Sequence, residues 1–344
     1  MREYTIDDGL YNAPKPPFPY TLGQEFTVRS HVPPPPTDLD CLPDRAARRE
    51  REEYNPLERC FIHPPAGSDG NQVVRFKISK AILLEDNHNA QLGIVDILHV
   101  APCTAGGPQE NTTILAKFYD PLYYNHVQDD VDPFLGAEYN YSHETAAYAA
   151  LSELQGHAIP KYYGSFALEL PVNGYKTKRF VTLILLELVQ GVPMREIDPA
   201  GLPRAQRQQI MKGIIDADTA VYTHRILHGD VHPRNIIINN DPGSTRRVTL
   251  IDFDRAKAWP APYILAEYAK LFYLPGPASP LLRWHRLQWD QFQRHFDGWI
   301  DWDWQAWLEE NYVDAEDAIT SEMREFWLPD DPEDILKLPG LKIW

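Results

Sequence analysis

Two stretches of the chain alternate between apolar and polar residues with a period of two. VVRFKISKAILL (73–84) and IVDILHVA (94–101) are therefore predicted strands, each with one buried face, and the turn-rich EDNHNAQLG lies between them. A third strand, NTTILAKFYD (111–120), follows a Gly-Gly-Pro loop. The period then lengthens. Glu144, Ala147, Tyr148, Leu151 and Leu154 recur at three- and four-residue steps, which predicts a helix over Glu138–Leu154 with these residues on one face. Strands at Tyr162–Leu170 and Arg179–Leu188 flank the hairpin-like PVNGYKTK. Beyond Gly191 the pattern is mainly helical. Gln206–Arg225 carries Ile210, Ile214, Ala217 and Val221 as one apolar stripe. Two short apolar runs, NIIIN and RVTLIDF, can pair through the turn DPGS. All nine Trp residues fall between Trp259 and Trp344, a density that predicts a helical subdomain packed by aromatic anchors. The class is α+β, and no internal repeat is visible.

The first 70 residues read differently. They hold 12 of the 31 prolines, including the run Pro33–Pro36. Proline lacks an amide donor and favours extended backbone, so residues 1–40 are expected to form an arm outside the core. A proline run can serve as an SH3 or WW ligand, although a plain linker is the simpler reading. Asp44–Arg59 is polar and helix-prone, and a short surface helix ending near Pro56 is expected there.

Composition narrows the function classes. The 344 residues carry a formal net charge of −16, which argues against a general nucleic-acid or anionic-membrane binder. Three widely spaced cysteines, Cys41, Cys60 and Cys103, make neither a disulfide framework nor a zinc cage, so a reducing interior is expected. The start lacks the charged-then-apolar order of a signal peptide. The longest strongly apolar run, Val181–Val189, is too short for a bilayer and contains Glu187. An intracellular, cytoplasmic protein without nucleic-acid or membrane partners is the expectation.

Candidate chemistry concentrates in ILHGDVHPRNIIINNDPGSTRRVTLIDFDRA (226–256). Asp230 and Asn235 sit on a loop after a buried helix, and Asp252 ends an apolar strand. Pairing NIIIN with RVTLIDF would bring Asn235 and Asp252 together. Two hard oxygen ligands at one end of a hairpin suit Mg²⁺, which keeps several waters and takes phosphate oxygens. The adjacent Asp230 carboxylate could then accept a hydroxyl proton or orient the attacking oxygen.

This arrangement resembles the protein-kinase-like superfamily in its catalytic loop (His228, Gly229, Asp230, Asn235) and in its metal-binding Asp-Phe-Gly position (Asp252, Phe253, Asp254). The His-Gly-Asp form, with His232 two residues after the Asp, is most similar to the aminoglycoside-phosphotransferase and choline-kinase branch and to divergent fungal kinase-like proteins. Over roughly residues 71–330 the resemblance implies a bilobal fold with ATP between the lobes. It implies a mostly antiparallel β N-lobe with one main helix (71–190) and a mostly helical C-lobe (191–344), to which the composition adds the N-terminal arm and short helix (1–70) and the Trp-rich tail. It also implies roles. Lys117, ending the run ILAK, would hold the α- and β-phosphates, and Glu144 would orient it. Backbone groups of Glu187 to Val189 would bind the adenine edge, with Gly191 letting the chain turn. Asn235 and Asp252 would hold Mg²⁺, and Asp230 would act as base. The implied activity is ATP- and Mg²⁺-dependent phosphoryl transfer to a hydroxyl of a protein or of a small-molecule alcohol.

The sequence departs from the family pattern in places. EDNHNAQLG contains one glycine, Gly93, and no G-x-G-x-x-G, so the backbone cover over the phosphates is altered. Gly229 replaces the Arg of H-R-D, and no A-P-E follows Asp252. A scaffold of the same fold without turnover is the alternative. His228 and His232 have H-x-x-x-H spacing, but Pro233 argues against the helix that a zinc pair would need. The acidic clusters Asp129–Asp132 and Asp330–Asp334 lack the spacing of a calcium loop and are expected on solvated faces.

Overall fold

The computed structural model describes residues 15–36, 45–124, 131–172, 174–239, 247–258, 279–286, 293–296 and 298–328. The fold is mixed α and β. The chain divides into two compact units, one of residues 1–146 with 161–188 and the other of 147–160 with 189–344.

The first unit is built on a closed antiparallel barrel. Its strands are β1 (Glu25–Val32), β2 (Ser68–Leu83), β3 (Gln91–Ala101), β4 (Thr113–Tyr119), β5 (Tyr162–Pro171) and β6 (Lys178–Leu186), in the spatial order β1-β2-β3-β4-β6-β5 with β5 returning to β1. The period-two pattern explains the barrel. In β2, Val74, Phe76 and Ile78 are fully buried while Arg75, Lys77 and Ser79 face out. Val95, Ile97, Ile114, Ala116, Phe118, Phe166, Leu183 and Leu185 fill the same core.

Residues 1–40 are not simply an arm. Strand β1 pairs with both β2 and β5, with Phe26 opposite Phe76 and Val28 opposite Leu168. Tyr20, Phe26 and Val28 are buried. The prolines that suggested an arm lie before and after EFTVRSHV, which has its own inward-outward alternation. Ahead of it, the Tyr20 hydroxyl donates to the buried Asp120 carboxylate at 2.6 Å, and Arg179 donates to both oxygens of that carboxylate at 2.8 Å. Residues 1–14 lie outside the described residues.

The expected surface helix is two helices, α1 (Arg45–Glu53) and α2 (Pro56–Ile62). Pro56 opens α2 instead of ending α1, because the first helical position needs no amide donor. Asn55 caps the start and Glu58 closes a reciprocal capping box. Helix α3 (Pro133–Ala150) begins earlier than the apolar period suggested. Asp132 accepts from the amide of Phe134 at 2.9 Å and from Arg59 Nη2 at 2.9 Å. The expectation of a solvated acidic face therefore fails at Asp132, which is buried. Helix α3 passes from the first unit to the second after Ala146.

In the second unit, β7 (Val192–Pro193) is followed by α4 (Arg204–Thr223), whose Ile210, Ile214, Ala217 and Val221 are all buried. Strands β8 (Ile226–Leu227) and β11 (Lys257–Ala258) pair, and β9 (Ile236–Ile238) lies between β7 and β10 (Val248–Leu250). Gly191 has φ +143°, and a Cβ there would stand 2.5 Å from the Ile238 carbonyl oxygen. Short helices α5 (Pro280–Arg283), α6 (Trp304–Asn311) and α7 (Ser321–Trp327) follow. Trp284, Trp299, Trp304 and Trp307 are buried, and the Trp304 and Trp307 rings lie 5.1 Å apart. They pack the interior as the aromatic density suggested. Trp259, Trp289 and Trp344 lie outside the described residues. Among the described residues no helix is long and apolar enough to cross a membrane.

Candidate active site

Lys117 and Glu144 meet inside the first unit. Strand β4 lies between β3 and β6 and presents Lys117 near its end, while α3 presents Glu144 from its buried face. Lys117 Nζ donates to Glu144 Oε2 at 2.5 Å, and the two residues are 5% and 0% exposed. The Tyr119 hydroxyl donates to the same Oε2 at 2.7 Å, and Lys117 Nζ lies 5.5 Å from the centre of the Tyr119 ring. Tyr119 escaped the sequence reading. Its position two residues after Lys117, on the same face of a strand, is the signal that would have found it.

The second unit assembles the loop after β8. Gly229 has φ +79°, and a Cβ at this position would lie 2.6 Å from the Arg255 carbonyl oxygen. Glycine is therefore required at this position. The buried His228 ring ties the loop to the strand that leads to Asp252. The Asp230 amide donates to His228 Nδ1 at 3.3 Å, so the ring's proton sits on Nε2, which donates to the Ile251 carbonyl at 3.1 Å. Burial lowers the His228 pKa and favours this neutral form.

Asn235 is fixed by its amide nitrogen. Nδ2 donates to the Asp230 carbonyl at 3.0 Å and to Asp230 Oδ2 at 2.8 Å. That leaves the amide oxygen as the group that a cation could use. The β9–β10 hairpin forms as the apolar runs suggested, with Ile236 opposite Leu250, and the Ile251 amide donates to the Asn235 carbonyl at 2.9 Å. Asn235 and Asp252 therefore share one end of the hairpin. Asp252 has φ +68°, a left-handed conformation that costs a non-glycine residue about 1–3 kcal/mol and tends to occur at functional sites. Among the described residues no group of three or more His, Cys, Asp or Glu could hold a metal. An Asn–Asp pair suits instead a hard ion that keeps its waters. Of the two histidines with H-x-x-x-H spacing, His228 bonds to the main chain, and the His232 ring lies 4.4 Å from that of His295.

Arg234 also enters this loop, unanticipated from the sequence. Its Nη2 donates to both oxygens of Asp230, at 2.9 and 2.8 Å. A basic residue four positions after the Asp, within one tight turn, was the available signal.

Two further regions bear on the expected nucleotide contacts. The Glu187 amide donates to the Lys161 carbonyl at 2.9 Å, so that amide is already engaged. Val189 falls in the second unit and Glu187 in the first. In the loop between β2 and β3, the Asn87 and His88 amides donate to the Tyr123 carbonyl, and the Glu85 amide donates to the Gln91 side chain. A phosphate-covering loop would offer such amides to phosphate oxygens.

The ABC1 atypical kinase-like domain matches residues 110–273, a little under half of the chain. That match supports the protein-kinase-like superfamily. Its span contains Lys117, Glu144, Asp230, Asn235 and Asp252. No curated protein matches the chain.

Proposed function

We propose that the protein is an ATP- and Mg²⁺-dependent phosphotransferase of bilobal, protein-kinase-like design that transfers the γ-phosphoryl group to a hydroxyl. The barrel unit supplies Lys117, held by Glu144, for the phosphates, and backbone near Glu187 and Val189 serves the adenine. The second unit supplies Asp230 as the group that orients the acceptor hydroxyl and takes its proton. Asn235 and Asp252 would hold Mg²⁺, which offsets charge on the transferring phosphoryl group. The His-Gly-Asp loop points towards the aminoglycoside-phosphotransferase and choline-kinase side of the superfamily, and hence towards a small-molecule alcohol.

The observation that carries this reading is the bonding of Asn235. One side chain holds the Asp230 carboxylate through its nitrogen and keeps its oxygen for a cation, at the hairpin end shared with Asp252. Melting curves with ATP and Mg²⁺, together and apart, test it. The pair should stabilise the protein by about 2.7 kcal/mol at a hundredfold excess over Kd. The absence of any shift would end the proposal. One observation favours a second reading, a scaffold without turnover: three amides of the β2–β3 loop, those of Glu85, Asn87 and His88, are bonded within the protein. Stabilisation by ATP without ATP consumption across a panel of alcohols would favour that reading.

A further inference from the structure

We propose that Arg234 is a specificity-determining residue that selects a small alcohol carrying its own negative charge, a carboxylate or a phosphate. This rests on the phosphotransfer reading above and names its acceptor class. The argument begins with what Arg234 leaves unused. A guanidinium has five N–H donors. Nη2 serves Asp230, while Nε and Nη1 have no protein acceptor among the described residues. The side chain is 43% exposed over a carboxylate that is only 10% exposed, so a molecule approaching Asp230 from solvent meets Arg234.

Its root is fixed. Arg234 follows Pro233 in a one-turn 3₁₀ segment (Pro233–Asn235), and its amide donates to His232 Nδ1 at 3.2 Å. Burial, then the Arg234 charge, then His295, lower the His232 pKa to about 4, so the ring is neutral near pH 7 and Arg234 is the cation of this cluster.

The carboxylate beneath is almost fully occupied. A carboxylate offers about four acceptor positions. Oδ2 takes Arg234 and Asn235, and Oδ1 takes Arg234 alone, which leaves one position on Oδ1 for an acceptor hydroxyl. Transfer forms a bond between the hydroxyl oxygen and the γ-phosphorus, breaks the bond from that phosphorus to the β,γ-bridging oxygen, and sends the hydroxyl proton to Oδ1. An anionic alcohol would normally be repelled here, by Asp230, by the nucleotide phosphates and by a protein of net charge −16. Arg234 can hold the acceptor's anion through Nη1 while Nη2 keeps Asp230 in place. The anion and the reacting hydroxyl are then anchored to neighbouring groups, which favours a short spacer between them.

The test compares glycerol 3-phosphate, inorganic phosphate and glycerol by calorimetry on protein loaded with Mg²⁺ and a non-hydrolysable ATP analogue. Wild type should bind the two anions at least about tenfold more tightly than glycerol, the scale of one charged hydrogen bond. Arg234→Gln should abolish the preference and leave nucleotide affinity unchanged, and Arg234→Lys should restore part of it. Equal affinity of wild type for all three compounds, or an unchanged preference in Arg234→Gln, overturns the proposal. If the analogue does not bind wild type, the phosphotransfer reading fails instead. The same titration on nucleotide-free protein then decides the anion site by itself.

Discussion

Two ion pairs carry the candidate chemistry, and they are built in opposite ways. Lys117–Glu144 is closed inside the barrel unit, with both partners nearly inaccessible and Tyr119 adding a third bond to the carboxylate. Arg234–Asp230 lies at the rim of a loop, with its basic partner half in solvent. Removing Lys117 leaves a buried charge with no water to replace the partner, whereas removing the half-exposed Arg234 lets water into its place beside a carboxylate that Asn235 still holds. The first pair is thus suited to a fixed role and the second to reaching a substrate while it keeps its own carboxylate.

The sharpest way to break this contrast is Lys117→Met. It strands Glu144 in the core and should cost about 3–5 kcal/mol in urea unfolding. A cost below about 1 kcal/mol would show that the two pairs are energetically alike. Adding Glu144→Gln should recover much of the loss, because the stranded charge is then gone.

Next in size is Asp230→Asn. It should slow phosphoryl transfer at least about a hundredfold, the scale of a positioned general base, while the Kd for ATP changes little. Steady-state ATP consumption checks the first and calorimetry the second. Gly229→Ala should follow, at about 1–3 kcal/mol, from its positive φ and the contact with the Arg255 carbonyl. A neutral result there would mean that the loop seating Asp230 is slack.

Smaller again is Arg234→Gln, expected to change stability by less than about 1 kcal/mol. A final test is acidification. His232 has a folded pKa of about 4 against 6.5 for the free side chain. Above pH 6.5 the ring is neutral in both states. Between 6.5 and 4 the unfolded chain takes up a proton that the folded chain refuses, so stability should fall as pH falls through that window. His228, lowered by burial, acts in the same direction. Melting temperatures at pH 7 and 5 should show the fall, and His232→Asn should make it shallower.

Much of the fold was legible because burial imposes periods. The alternation in VVRFKISKAILL and the stripe Ile210, Ile214, Ala217, Val221 placed their elements within a few residues. Strand β1 was hidden because flanking prolines dominated the local composition, although Phe26 and Val28 carried the alternation. The grouping of Asn235 with Asp252 followed from two apolar runs that could pair, and do. The roles of Tyr119 and Arg234 left only a faint signal, their spacings from Lys117 and Asp230. A polar tip meeting a buried charge leaves no periodic trace, and a tight turn aims its side chains in a way that spacing alone does not reveal.

Closure of the barrel has a consequence for how the chain can be shortened. Because β1 joins β2 to β5, the sheet of the first unit has no free edge. Deleting residues 15–32 would expose the unpaired amides and carbonyls of β2 and β5 along two borders at once. Such borders recruit strands from other molecules. A version trimmed to begin after the proline run is therefore expected to precipitate or self-associate, even though most of the candidate chemistry lies far downstream of the cut.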